Sequence, residues 1–219
     1  TDGNFIGKGY LQAQKTINAG GSRGQGNIIL GRFAGCCHDG GSLNVFIGEQ
    51  AGRKSEGTNA ARNVFIGCQV GCGNTSGYHN VFLGSEAGKG ECGDSGSMNV
   101  FAGKGAGIKN TGCYNIAFGK LAYGRQTGTK NVAIGFHAAN DVGAGGTSNV
   151  FIGEYAGSFA QSDSSRGGQN NVYLGSYAGY SNPGDFNIGI GDQALNGTSS
   201  STGCRNIALG QCSGNDIQS

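Results

Sequence analysis

Charge is scarce in this chain. Asp, Glu, Lys and Arg make up 13% of its 219 residues, and the formal net charge is +2. So thin a balance gives nothing to steer nucleic acid or a charged membrane surface. Long apolar runs are missing too. The longest are triplets and quartets, far short of the roughly 20 residues that cross a bilayer as a helix. Proline occurs once, against 47 glycines. Glycine at that level would read as disorder if it were scattered, but here it recurs at fixed offsets, as in a turn-rich ordered array. No secretory leader opens the chain, which starts at Thr1 and so fits a processed protein or a fragment.

What is present is a repeat. Twelve short apolar segments end in glycine, at Gly7, Gly31, Gly48, Gly67, Gly84, Gly103, Gly119, Gly135, Gly153, Gly175, Gly191 and Gly210. Successive closing glycines are 16 to 24 residues apart. Asparagine opens eleven of the copies: Asn27, Asn44, Asn63, Asn80, Asn99, Asn115, Asn131, Asn149, Asn171, Asn187 and Asn206. One strand-like pentapeptide per copy, at a period near seventeen, predicts a parallel β-solenoid of about twelve rungs. The repeat runs without a composition shift, so residues 1–219 read as one elongated domain. Its first copy, 1–26, is degenerate, its regular copies fill 27–214, and 215–219 form a short tail.

The columns of the repeat differ in their physics. The residue after each asparagine is Val or Ile, and two residues later stands Ile, Leu, Phe or, once, Ala102. Strand alternation puts these two on one face. Between them lie Phe46, Phe65, Phe82, Phe101, Phe151 and Tyr173 in six copies. Three apolar residues in a row describe a strand covered on both sides, and a solenoid's interior covers only one. Either the aromatic column faces inward and the Val/Ile/Leu columns outward, or the reverse. Both leave an uncovered apolar face and predict self-association; the aromatic column is taken as the candidate self-association stripe. Past the closing glycine, a small-residue column from Ala34 to Ser213 predicts a tight inner corner. The glycine that usually follows predicts a turn at positive φ. The asparagines predict a structural ladder, each side chain satisfying turn backbone and the neighbouring asparagine.

The Asn-Val-Phe-Ile-Gly-x-x-Ala-Gly pattern, read at Asn44 to Gly52, resembles the head repeat of trimeric autotransporter adhesins and related tail-fibre-like repeats. The resemblance covers roughly Gly26 to Gly214. It implies a left-handed parallel β-roll, three copies packed side by side, and an extracellular or cell- or virion-surface location. Three departures stand out: longer copies, phenylalanine in a usually small column, and many cysteines.

Eight cysteines, Cys36, Cys37, Cys68, Cys72, Cys92, Cys113, Cys204 and Cys212, are disulfide candidates in an oxidising setting. Rungs spaced by roughly 4.8 Å allow bridging only between neighbours, so Cys72–Cys92 and Cys204–Cys212 are the expected pairs. Cys36-Cys37-His38-Asp39 is the one local cluster of metal-capable side chains, and without a second pair nearby no metal is expected. His38, His79 and His137 fall in different copies and read as exposed loop residues. Glu49 and Glu86 stand near turn starts two rungs apart, among lysines, and do not form a glycosidase-like pair. Asn74 and Asn196 open sequons. The loops from Asn110 to Tyr114 and from Ser158 to Gly168, with Tyr155, Tyr177 and Tyr180, are where a glycan or matrix ligand would be sought.

The sequence therefore predicts a non-enzymatic extracellular structural protein without catalytic residues or cofactor. It would be a self-associating piece of a surface fibre whose partner is itself, as a homotrimer, a head-to-tail filament or both. The alternative is an adhesin or receptor-binding module that recognises glycan or matrix protein through its loops. Neither nucleic acid nor membrane insertion is expected.

Overall fold

Each apolar triplet becomes a three-residue strand. In chain order these are β1 (Ile28–Leu30), β2 (Val45–Ile47), β3 (Val64–Ile66), β4 (Val81–Leu83), β5 (Val100–Ala102), β6 (Ile116–Phe118), β7 (Val132–Ile134), β8 (Val150–Ile152), β9 (Val172–Leu174), β10 (Ile188–Ile190) and β11 (Ile207–Leu209). All eleven lie in one parallel sheet in sequence order. The computed structural model describes residues 25–38, 40–55, 60–90, 96–125, 127–140, 146–158, 168–197 and 203–215. Among them the protein is all-β, a parallel β-solenoid. The twelfth expected rung, closing at Gly7, lies outside the described residues, as do most of the degenerate first copy and the end of the tail.

Register is exact from rung to rung, Val on Val and Phe on Phe: Val45 pairs with Val64, and Phe46 with Phe65. The closing glycine sets that register. At Gly48 φ is 127°, a conformation that residues with a β-carbon rarely adopt, and a β-carbon there would lie 2.3 Å from the Gly67 carbonyl oxygen. Only glycine lets consecutive rungs approach so closely.

The asparagines form a continuous ladder. Each Oδ1 accepts the backbone N–H of the next asparagine, as Asn44 does from Asn63 at 2.9 Å and Asn99 from Asn115 at 2.8 Å. Each Nδ2 donates to the carbonyl three residues before that next asparagine, as Asn99 does to Gly112 at 2.9 Å. The buried corner thus has partners for its polar groups. The glycines that supply most of those carbonyls are a column the sequence reading missed, although they recur three residues before Asn44, Asn80, Asn99, Asn115 and others.

The aromatic column lies inside. Phe46, Phe65, Phe101 and Tyr173 are fully buried, and Phe82 and Phe151 nearly so. Their expected role as a self-association stripe is therefore corrected: the rings are the core. Phe46, Phe65, Phe82 and Phe101 stack at centroid spacings of 5.1, 4.8 and 4.9 Å, close to the rung repeat. The alanine corner, Ala51 to Ala194, packs against them at 0% exposure apart from Val70, which is equally buried. Each ring occupies space that the turn glycine leaves open.

Turns advance through residues at positive φ that are not glycine. One such column immediately precedes the asparagines, with Leu43, Arg62, Lys130 and Arg205 at 56–61°. Another lies two residues after the closing glycine, with Gln50, Gln69 and Tyr155 at 53–56°. Each conformation carries a steric cost. It also aims an N–H at the neighbouring rung, as Gln50 does at the Arg32 carbonyl (2.8 Å) and Arg62 at that of Ser42 (2.9 Å).

Candidate interaction surface

With the middle residue of each strand turned inward, alternation turns the first and third outward. The result is one strip on the outer face of the sheet, two residues wide and eleven strands long. Every position in it is Val, Ile or Leu except Ala102 and Phe118. The side chains are half-buried by their neighbours and still present apolar surface: Ile66 is 40% exposed and Phe118 42%. At about 4.8 Å per strand the strip is about 48 Å long. It carries no charge. Leu43, Met98, Tyr114 and Phe186, all exposed, flank it from the position before the asparagine.

The other candidate residues are distributed as structural parts. Glu49 pairs with Arg32, whose hydrogen bond and charge hold the carboxyl below its ordinary range. Glu86 is bonded by Lys89 at 2.8 Å and lowered in the same way. These carboxylates are held ionised and apart.

His38 is half-buried, not the exposed loop residue expected. Its Nδ1 and Nε2 each lie 2.9 Å from a backbone carbonyl, those of Ser55 and Gly41. His79 is exposed, while His137 is half-buried and stacks on Tyr155 at 5.1 Å. Among the described residues no group of His, Cys, Asp and Glu is arranged to hold a metal ion; Asp39 lies outside them.

Cys36, Cys68, Cys113 and Cys212 form no disulfide. Cys92 lies outside the described residues, and with it the expected Cys72–Cys92 pair. Cys204 and Cys212 occupy different columns on opposite sides of β11. Cys204 accepts the Asp185 N–H before the strand, and the Cys212 N–H donates to the Asp192 carbonyl after it. Between rungs, stacking brings like positions together, so close approach requires the same column in adjacent rungs, and no two described cysteines meet that condition; the sequence neighbours Cys36 and Cys37 have their sulfurs 3.7 Å apart within one rung.

Asn74 is 5% exposed, and its Oδ1 accepts the Gly77 N–H at 2.8 Å, so the first sequon is part of a buried turn. Asn196 is half-buried and donates its backbone N–H to Asn215 Oδ1 at 3.2 Å; the rest of that sequon reaches beyond the described residues. Asn110 is also buried, unlike the loop residue expected, while Tyr114 is 54% exposed. Residues 159–167 of the second candidate loop are outside the described set.

Tyr155 and Tyr177 stack on each other at 5.0 Å, and Tyr180 meets both edge-on. Comparison with protein-family models, with curated proteins and with solved structures finds no match for this chain.

Proposed function

We propose that this protein is a non-enzymatic structural rod, a self-associating subunit or segment of an extracellular fibre. One observation carries the reading: the uncharged apolar strip along the full length of the sheet. A monomer in water would leave this face wet, at a size where exposed patches ordinarily mark interaction sites. The rest of the architecture suits a stiff spacer. The asparagine ladder repeats from rung to rung, and the stacked rings of β2 to β5 follow the same rise. The extracellular placement rests on the likeness of the repeat to surface-fibre heads; the cysteines lend it nothing.

Light scattering of the full chain, with electron microscopy of the same sample, tests the proposal. Rods whose mass is a multiple of the 22.0 kDa chain are expected. Replacing outward Ile134 with Lys should lower that mass while leaving the circular dichroism of the sheet unchanged. A wild-type chain that stays monomeric and well dispersed at high micromolar concentration overturns it.

A further inference from the structure

The strip has two residues that break its uniformity, and they are neighbours in the same column. Ala102 closes β5 and Phe118 closes β6, paired across the sheet at adjacent register positions. The first leaves a dent where Ile or Leu stands in the other strands, and the second raises a knob. From this pairing, and resting on the self-association proposed above, we infer that the strip is covered by a second copy of the same chain, with the two solenoids antiparallel and face to face. The two-fold axis lies along the strand direction, between β5 and β6.

Geometry selects that arrangement. A two-fold axis along the strands reverses the order of rungs but keeps each column facing its own column. Placed between β5 and β6, it sets Phe118 of one copy over Ala102 of the other, and by symmetry does so twice. The next pair outward is Leu83 on Ile134, and every further pair in that column is likewise Ile or Leu on Ile or Leu. Moving the axis onto β6 puts Phe118 on Phe118 and leaves Ala102 over Ile134, a clash beside a void. Turning the axis along the solenoid sets the two columns across from each other within the same rung, and neither the dent nor the knob finds its complement. Core-like packing penalises both errors.

Size agrees. Ten paired rungs, about 43 Å long and about 17 Å wide with the flanking columns, give a footprint of roughly 700 Å² per copy, close to the ~800 Å² per partner of a standard stable interface. Exposed Met98 and Tyr114 flank the same two rungs, so the pairing brings one against the other at the centre of the interface. Lys104 and Lys120 follow the closing glycines of these rungs and fall at the rim, where salt water screens them.

The test is a volume swap in the full chain: Ala102→Phe, Phe118→Ala and the double variant, with masses from sedimentation equilibrium. The side chains point outward, so circular dichroism should be unchanged in all three. A wild-type dimer is expected. Each single change should raise Kd at least tenfold, and the double variant, with knob and dent exchanged, should return to within about threefold of wild type. A photo-crosslinking benzoylphenylalanine at position 118 should independently capture the partner peptide that contains Ala102. A trimeric mass, a double variant no better than the singles, or crosslinks to the partner's own position 118 overturn this pairing and leave self-association standing. A monomer at every concentration overturns both.

Discussion

The ring of Phe82 lies flat against Gly88, where a β-carbon would stand 2.2 Å from it. The same pairing recurs at Phe46 with Gly52, Phe65 with Gly71 and Phe101 with Gly107. At two of the four small strand centres the turn position is filled instead, Ala117 going with Tyr123 and Gly189 with Leu195, whereas Ala133 goes with Ala139 and Ala208 with Gly214. In the first two, as in the phenylalanine rungs, one large side chain from either partner fills the shared volume.

Exchange between those partners is therefore predicted. Gly88→Ala should cost about 3 kcal/mol, from overpacking and from alanine at a φ of 58°. Phe82→Ala alone should cost about 3–5 kcal/mol as a cavity. Combining Phe82→Ala with Gly88→Tyr, as Ala117 and Tyr123 do naturally, should recover more than half of the cavity loss. Urea midpoints of the three variants decide it; a double variant weaker than Phe82→Ala contradicts the shared volume.

In the ladder, Asn115 accepts the Asn131 N–H at 3.0 Å and donates to the Gly128 carbonyl at 3.0 Å, fully buried. Asn115→Ala orphans one donor and one acceptor at about 1–3 kcal/mol each, so a loss of about 2–5 kcal/mol is expected. Hydrogen exchange should localise the damage to the rungs around β6 and β7. Uniform protection across these rungs after the change would show that water replaces the lost bonds.

Much of this was legible in the residues. The asparagine, glycine and alanine columns each encode one local necessity, so spacing alone gave the solenoid, the inner corner and the positive-φ turn. Which face of the strand pointed inward was not legible, because Val-Phe-Ile is apolar on both sides and periodicity cannot break the tie. The informative signal was the covariation of position 117 with 123 and of 189 with 195, where a small strand residue is answered by a large turn residue. Cysteine count says nothing about column, and column decides which cysteines of adjacent rungs can meet; Cys204 and Cys212 lie in different ones. The non-glycine turns at positive φ, such as Arg62 and Lys130, had no sequence signature; hydrogen bonds between rungs impose them.

Those turns give a backbone prediction. Lys130 is exposed at a φ of 60°, with its N–H bonded to the Cys113 carbonyl. Lys130→Gly relieves the steric cost but adds freedom to the unfolded chain, and the two nearly cancel within about 1 kcal/mol. Lys130→Ile puts a β-branched residue in the same conformation and should destabilise by about 1–3 kcal/mol. Equal thermal midpoints for the two variants would mean that the turn can relax to negative φ.

Stability should also fall on the alkaline side, through the two tyrosines in the core. Burial pushes the phenols of Tyr123 and Tyr173 above their ordinary value near 10. A raised folded value means that the contribution is complete below pH 10 and is lost as the unfolded state ionises above it, at about 1.4 kcal/mol per pH unit for each tyrosine. The two differ in their bonding. Tyr123 accepts a hydrogen bond from Asn131 Nδ2 at 2.6 Å, whereas the Tyr173 hydroxyl lies beside Asn187 without bonding geometry. Tyr173→Phe should therefore stabilise by about 1 kcal/mol at pH 8, by removing an unpaired buried hydroxyl, and should halve the loss between pH 10 and 11. Tyr123→Phe should halve the same slope but destabilise at pH 8, since it removes the short acceptor of one Asn131 amide hydrogen and leaves that hydrogen only the longer contact to Asn115 Oδ1 at 3.3 Å. Urea midpoints at pH 8, 10 and 11 separate the two effects, and a Tyr173→Phe variant weaker than wild type at pH 8 would place a bridging water on that hydroxyl.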